Sequence, residues 1–206
     1  MSKIQKSKFK LSRRIGASVH DHPNDAYKFK KYFPGQHGRN IHRAATEYGK
    51  QLIAKQAIKY HHNITEKQLR IYYKKSVLMK GDNTSNLVAF LNSRLDVNVF
   101  RAGFAPTFYA ACQLVSHGHV LVNGRRVNIR SYQLKVDDVV SLSQKGLSMQ
   151  TVQEAIAKAK ASKNEVKYLS VDYNSNSFRF INVPTLSEVP YPFQAKPNLI
   201  VEFYSK

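Results

Sequence analysis

Residues 107–127 limit the fold more tightly than any other stretch of the chain. Apolar side chains recur there at i, i+3, i+4 and i+7, the spacing of one helix face, at Phe108, Ala111, Cys112 and Val115. Thr107 can cap this helix and Gly118 can end it. Two short apolar runs follow, and the Asn123-Gly124 pair between them suits a two-residue turn with positive φ at both positions. The stretch therefore predicts a short helix packed on a tight β-hairpin.

The rim of this hairpin is cationic and rich in hydrogen-bonding groups. Arg125 and Arg126 follow the turn, and His117, His119 and Asn123 precede them. Side chains of this kind on a folded hairpin can grip the phosphate backbone of a structured RNA. A solvated hairpin with ordinary surface arginines is the alternative interpretation of this stretch alone.

The charge balance of the whole chain indicates a polyanionic partner. Its 206 residues include 33 Lys and Arg against 13 Asp and Glu, which leaves a net charge of +20 at pH 7. The electrostatic field of this much positive charge attracts nucleic acid. A basic protein without a nucleic-acid partner, or one that binds a membrane surface, would have the same charge balance. With 42% hydrophobic residues the chain can bury a core, and no apolar run approaches the roughly 18 residues of a membrane span. We expect a folded protein with no membrane-spanning segment.

Residues suited to catalysis or metal binding are scarce. A single cysteine rules out an internal disulfide or a zinc site built from several thiolates, and Cys112 is expected to be a small core residue because it lies on the apolar helix face. Two histidine pairs lack neighbouring cysteines and are expected to hydrogen-bond near phosphates rather than hold a metal; they are His20 with His22 and His117 with His119. Acidic residues are too few and scattered for a general acid and base. We therefore expect no enzyme activity, no cofactor and no metal.

Helical and strand patterns alternate along the rest of the chain. Residues 1–45 carry many cations and no apolar period, so they predict an extended basic arm that orders against its partner. Beyond them, Thr65 and Gln68 have the spacing of a capping box, and Ile64 and Leu69 have that of a hydrophobic staple. Further patterns predict strands near 139–142, 169–173 and 178–183, a helix after Gly146, and a short apolar strand or docked tail at 199–204. Together they predict an α+β fold.

Nine short motifs carry a resemblance to a known family. They are LSRR at 11–14, PGQHG at 34–38, EKQLR at 66–70, MKGDNT at 79–84, SRLD at 93–96, QLVSHGH at 113–119, VNGR at 122–125, SYQ at 131–133 and VEFYSK at 201–206. In this order and spacing the chain resembles the uS4 family, ribosomal protein number four of the small subunit, over nearly its full length. The resemblance implies an extended basic arm at 1–45, a helical domain from 46–85 and 147–206 with a C-terminal hairpin and tail, and an S4-type RNA-binding module inserted at 86–146. That module would combine short helices with a small antiparallel sheet.

The same resemblance implies a structural, non-catalytic constituent of the small ribosomal subunit. The protein would be a primary rRNA binder that nucleates subunit assembly at a helix junction of the 5′ domain and lies near the channel through which mRNA enters. Its partners would be small-subunit rRNA, mRNA and neighbouring ribosomal proteins, protein number five in particular, with no membrane and no small-molecule substrate. Two alternatives stay open: an RNA-modifying enzyme such as a pseudouridine synthase, since some such enzymes carry a similar module, and a free RNA chaperone or translational repressor.

Family positions assign RNA contacts to particular side chains. In the arm they are Arg13, Arg14, Gln36, His37 and Arg39, and in the module they are Arg94, Arg101, Gln113, His117, Asn123, Arg125 and Tyr132. The hairpin rim adds His119 and Arg126. Some members carry a four-cysteine zinc knuckle in the arm, but this arm has no cysteine, so no zinc is expected. Cys112 stands where the module usually has an arginine, and we expect Arg126 to replace that contact.

Two features bear on the origin of the chain. Residues 189–195 resemble alphaproteobacterial members of the family, and the richness in Lys, Asn and Tyr indicates an A+T-biased gene. Both fit a mitochondrion-encoded protein of the mitochondrial matrix, or a cytoplasmic protein of an alphaproteobacterium-like bacterium.

Overall fold

The chain folds into helices and one small sheet. The computed structural model describes residues 8–20, 22, 24–40, 46–162 and 166–205, and it confirms the predicted α+β class. Two compact units are present, Met1–Leu87 with Tyr191–Lys206 and Val88–Pro190. Within the described ranges, no helix is both long and apolar enough to cross a lipid bilayer.

Between residues 8 and 40 the described part of the arm is folded rather than extended, which corrects the prediction there, whereas residues 1–7, 21, 23 and 41–45 of the predicted arm lie outside the described residues. The described part contains α1 (Lys8–Ile15), α2 (Ala26–Phe29) and a 3-10 turn (Gly38–Asn40). Asp25 caps α2, because its carboxylate accepts from the Tyr27 amide at 3.0 Å and from the Ser18 hydroxyl at 2.8 Å. Val19 is fully buried, and its carbonyl oxygen lies 2.8 Å from Nδ1 of His61. Caps and polar contacts therefore order a segment that lacks an apolar period.

The remainder of the first unit is helical. It contains α3 (Glu47–His61), α4 (Glu66–Leu78) and α10 (Pro197–Ser205). The capping box at the start of α4 is confirmed, since Thr65 and Gln68 bond reciprocally, and both staple residues, Ile64 and Leu69, are fully buried.

The carboxyl-terminal segment is a docked helix, so the prediction of a strand at 199–204 is wrong and that of a docked tail is confirmed. Pro197 suits the first turn of α10, where its missing N–H costs nothing. Ile200 is fully buried, and Gln51 on α3 donates to the Glu202 carboxylate at 3.0 Å. Helical packing on α3 thus overrides the strand preference of this short apolar run.

The second unit begins with three short helices. The helix α5 (Asn83–Asn92) runs into it from the first unit, followed by α6 (Leu95–Arg101) and α7 (Phe108–Ser116). The predicted limits of α7 are confirmed: the Thr107 hydroxyl accepts from the Ala110 amide at 3.2 Å, and Gly118 has φ +70°. Val97, Phe108 and Cys112 form a small buried cluster between α6 and α7.

A five-stranded antiparallel sheet completes this unit, in the order β2-β1-β3-β5-β4. Its strands are β1 (Val120–Val122), β2 (Arg125–Arg126), β3 (Val139–Leu142), β4 (Leu169–Asp172) and β5 (Ser177–Phe180). The Asn123-Gly124 turn between β1 and β2 is confirmed, with φ +49° and +77°. Strand β2 is shorter than its predicted run to Ile129.

The second hairpin, β4–β5, was expected in the helical domain, but the structure divides the chain differently. Val140 on β3 lies opposite Phe178 on β5, and the Phe180 amide donates to the Asp138 carbonyl at 3.0 Å. These pairings join the hairpin to the sheet of the module, so residues 147–190 lie in the second unit. The helix predicted after Gly146 is α9 (Gln150–Ser162), and a short helix, α8 (Gln144–Leu147), precedes it without having been predicted.

Candidate nucleic-acid interface

Asn123 fastens the hairpin turn to the sheet. Its amide nitrogen Nδ2 donates to Oδ1 of Asp138 at 2.8 Å, and its Oδ1 accepts from the Val139 amide at 2.9 Å. Asp138 is itself buried, and its other oxygen accepts from the Lys135 amide at 2.8 Å. Both ends of the Asn123 side chain therefore bond within the protein, and the residue holds the turn in place beneath the exposed Arg125.

Arg126 braces the carboxyl end of α7. Its Nη2 donates to the carbonyl oxygen of His117 at 2.8 Å, where the helix dipole favours a cation. The guanidinium lies so close to Gly118 that a Cβ at that position would overlap Nε unless the side chain shifted. Arg126 as a residue is nevertheless exposed. One arginine thus positions the helix end while it remains part of the surface.

A cleft of about 190 Å³ opens beside this helix end. Gln113, His117 and His119 line it, so the structure brings these three predicted residues together. Burial lowers the pKa of His119 below its ordinary value, and His117, Arg126 and Lys145 lower it further by repulsion. Lys145 was not among the predicted residues, because it lies on the short helix α8 that the sequence pattern did not indicate.

Arg94 does not fit its implied RNA contact. The residue is 1% exposed, and its guanidinium forms two hydrogen bonds, at 3.0 and 2.6 Å, with the carboxylate of Asp96. The two side chains thus form a buried ion pair. Arg101 and Tyr132 are half-buried; Arg101 donates to the Asn92 side chain at 3.2 Å. The SRLD motif at 93–96 gave no indication that Arg94 is buried.

Cys112 is a core residue, as predicted. It is 4% exposed and packs with Val97 and Phe108, and its thiol lies 3.7 Å from the Asp96 carboxylate. The side chain therefore makes no surface contact of the kind an arginine could make at this position.

The arm places two arginines around one tyrosine. The guanidinium carbons of Arg13 and Arg39 lie 4.5 and 5.0 Å from the Tyr32 ring centroid. Arg13 also donates to the carbonyls of Tyr32 and Phe33, both at 3.0 Å, so it closes a loop within the arm. The Arg39 hydrogen bond and the charges of Lys30, Arg39 and Arg13 lower the pKa of Tyr32.

Two lysines of the first unit are paired with a carboxylate of the protein itself and are not directed at a partner. Lys55 is 6% exposed, and Lys55 and Lys59 both bond to the Glu66 carboxylate, at 2.8 and 3.1 Å. The Tyr204 hydroxyl donates to the same carboxylate at 2.7 Å. Burial alone would raise the pKa of Glu66, but these three hydrogen bonds outweigh it and hold the pKa at about 2.

Besides Asn123, which is exposed but whose amide bonds within the protein, eight of the predicted side chains are exposed and offer cations or hydrogen-bonding groups. They are Arg14, Gln36, His37, Arg39, Gln113, His117, Arg125 and Arg126. Such groups contact phosphates and exposed base edges. Among the residues that the structure describes, no cluster of three or more His, Cys, Asp or Glu side chains could hold a metal ion.

Comparison with known proteins agrees with this chemistry. Residues 3–92 match the family model described as the ribosomal protein S4/S9 N-terminal domain, and residues 93–140 match the S4 domain. The chain is 45% identical over 206 residues to small ribosomal subunit protein uS4 of Caulobacter vibrioides, with both chains covered completely. It is 44% identical over 207 residues to the uS4 proteins of Brucella ovis and Methylorubrum populi, again with complete coverage of both chains.

Proposed function

The chain belongs to the family of small ribosomal subunit protein uS4, and we propose that it is a structural, RNA-binding constituent of a bacterial-type small ribosomal subunit. The observation that carries this proposal is the end-to-end identity of 45% to a bacterial uS4 protein. Family membership also agrees with the prediction that the protein is not an enzyme, and it argues against the RNA-modifying alternative.

Within this role, we propose that the protein is a primary binder of a helix junction in the 5′ domain of small-subunit rRNA, where it nucleates assembly. Each arginine that meets a phosphate releases counterions, which supplies affinity without regard to sequence. Discrimination of a junction requires cations in fixed positions, and the fastening of the turn by Asn123 supports such an arrangement around Arg125.

Three further proposals follow from the family resemblance. We propose that ribosomal protein number five is a neighbour of this protein in the subunit. We also propose that the protein lies near the channel through which mRNA enters. The proposed location is the bacterial cytoplasm. The sequence features fit a mitochondrial location as well as a bacterial one, and the relatives reported above, which are bacterial, lend support only to the latter.

Binding across a salt series tests the proposed function. The full chain is titrated with an rRNA fragment that contains the 5′-domain junction, and separately with an unrelated RNA of equal length. We expect a preference for the junction that persists as salt rises, because shape recognition survives when counterion release weakens. Equal affinity for both RNAs, lost together with salt, would contradict specific binding.

The exposed Arg125 provides a matched test of the interface. Arg125→Ala should weaken binding to the junction by about 1–3 kcal/mol and reduce the salt slope by about one unit, as expected for one lost phosphate contact. Arg179→Ala is the control, because Arg179 is also exposed but lies on β5, which β1 and β3 separate from the hairpin strand β2. An unchanged salt slope in Arg125→Ala would contradict the proposal that the hairpin rim contacts RNA.

Sedimentation separates a ribosomal constituent from a free RNA chaperone or translational repressor. A constituent remains with small subunits through a high-salt wash, because many contacts hold it at once. A free chaperone or repressor would stay near the top of the gradient.

A further inference from the structure

The cleft beside α7 has the size of a pocket for one flat group. Its volume of about 190 Å³ is several times the roughly 30 Å³ share of a water molecule, yet it falls below the roughly 300–1,000 Å³ of pockets for drug-sized ligands. Its apolar walls include Ala110, Leu114 and Val152, which come from α7 and α9. A small aromatic heterocycle matches both the volume and the apolar walls.

One edge of the same cleft is polar and suits a nucleobase in particular. The Gln113 amide offers a donor and an acceptor together, the combination that pairs with the edge of a base. The rings of His117 and His119 have centroids 6.2 Å apart and planes inclined by 62°, so they form two walls at an angle. Single-stranded RNA is commonly recognised through splayed-out bases that stack on such rings and are hydrogen-bonded at their edges.

The charges around the cleft complement a nucleotide rather than a peptide with basic groups. The Arg126 guanidinium is fixed at the His117 carbonyl, and Lys145 acts electrostatically on His119. No acidic side chain is among the residues that line the cleft. Burial, and then the charges of His117, Arg126 and Lys145, lower the pKa of His119 and so favour its neutral ring, in which one nitrogen can accept a hydrogen bond.

We infer that this cleft receives one unstacked nucleobase of the RNA that the protein binds, with Gln113 at the edge of the base and His117 against its face. The inference rests on the proposed function, because it requires a structured RNA partner. It assigns the cleft a role in reading an unpaired nucleotide, beyond the phosphate contacts of the hairpin rim.

Filling the cleft tests the inference. Ala110→Leu keeps a good helix former on α7 and projects a larger side chain into the cleft, whereas Ala157→Leu makes the same change at an exposed position of α9 that does not line it. The RNAs are the 5′-domain junction fragment and a set in which each unpaired nucleotide in turn is made abasic. We expect Ala110→Leu to bind the intact junction about 5- to 150-fold more weakly than the wild type, the range measured for loss of one stacked base.

The decisive result is non-additivity with one abasic RNA. At the position whose base enters the cleft, removal of the base should weaken wild-type binding to the same extent, and Ala110→Leu should then add no further loss. If Ala110→Leu binds every RNA as tightly as Ala157→Leu does, or if its loss adds fully to that of every abasic substitution, no base occupies the cleft.

Two controls keep this result separate from the proposed function and from folding. A wild-type chain without preference for the junction overturns both proposals, whereas a persistent preference with unaffected cleft variants overturns only the inference about the base. Urea unfolding checks that Ala110→Leu is folded. Gln113→Leu repeats the test from the exposed polar edge, with Gln144→Leu as its matched control, and should show the same non-additivity with the same abasic RNA.

Discussion

Replacement of Arg94 by methionine removes a cation that lies inside the second unit. Arg94 is 1% exposed and Asp96 is fully buried, and two hydrogen bonds of 3.0 and 2.6 Å join their side chains. Oδ1 of Asp96 also accepts from the Val97 amide at 3.0 Å. Methionine approximates the volume of the arginine stem but carries no charge. The variant therefore leaves a buried carboxylate without its guanidinium.

The expected loss of stability is large. Removal of one partner from a buried ion pair typically destabilises by about 3–5 kcal/mol, because the remaining charge is uncompensated. For a chain of this size 1 kcal/mol shifts Tm by about 2–4 °C, so Arg94→Met should lower Tm by roughly 6–20 °C. The double variant Arg94→Met/Asp96→Leu should recover most of this loss, since apolar residues of similar volume often replace a buried pair at little cost.

Urea unfolding followed by circular dichroism measures the free energies of the wild type, both single variants and the double variant. Affinity for the rRNA junction is measured at a temperature where all of them are folded. We expect the folded double variant to bind the junction as tightly as the wild type does. A stable double variant whose affinity falls by the 1–3 kcal/mol of a direct contact would show that Arg94 reaches RNA, and the structural reasoning would be refuted.

Three further changes probe local features of the fold. Gly118→Ala should destabilise by about 1–2 kcal/mol in thermal unfolding, because φ is +70° and the new Cβ would also displace the flexible Arg126 guanidinium; a neutral effect would contradict that backbone conformation. Thr65→Ala should lose about 1 kcal/mol of unfolding free energy by removing the capping box with Gln68, and an equal loss in a Gln68→Ala background would show that the two side chains do not act together. The folded-state pKa of Glu66, about 2, lies below its ordinary value of 4.5, so its contribution to stability is present above pH 4.5 and disappears as pH falls toward 2. Glu66→Gln should therefore be less stable than the wild type at pH 7, and the difference should shrink over that interval in urea titrations.

Local signals in the sequence predicted the elements that depend on nearby residues. Helix α7 and its turn depend on a cap, a glycine stop and an Asn-Gly pair, all within about twenty residues, and each is where the pattern indicated. The pairing of β3 with β5 joins residues nearly forty positions apart, such as Val140 and Phe178, and no periodicity within either strand specifies that partner. Burial of Arg94 was equally unpredictable, because Arg94 pairs with Gln133, which lies nearly forty positions away in the sequence.

Positive charge alone does not explain how such a chain would choose one RNA over another. Counterion release favours any polyanion, and Lys55 and Lys59 show that part of the charge is directed at Glu66 instead. What distinguishes the hairpin rim is that internal bonds hold its groups in fixed positions, since Asn123 ties the turn to β3 and Arg126 ties it to α7. Hydrogen-bond donors in fixed positions bind more tightly to an RNA whose phosphates already match their spacing than to an RNA that must deform to match it. Selectivity would thus depend on the hydrogen bonds that fix the hairpin rim as much as on the arginines at its surface.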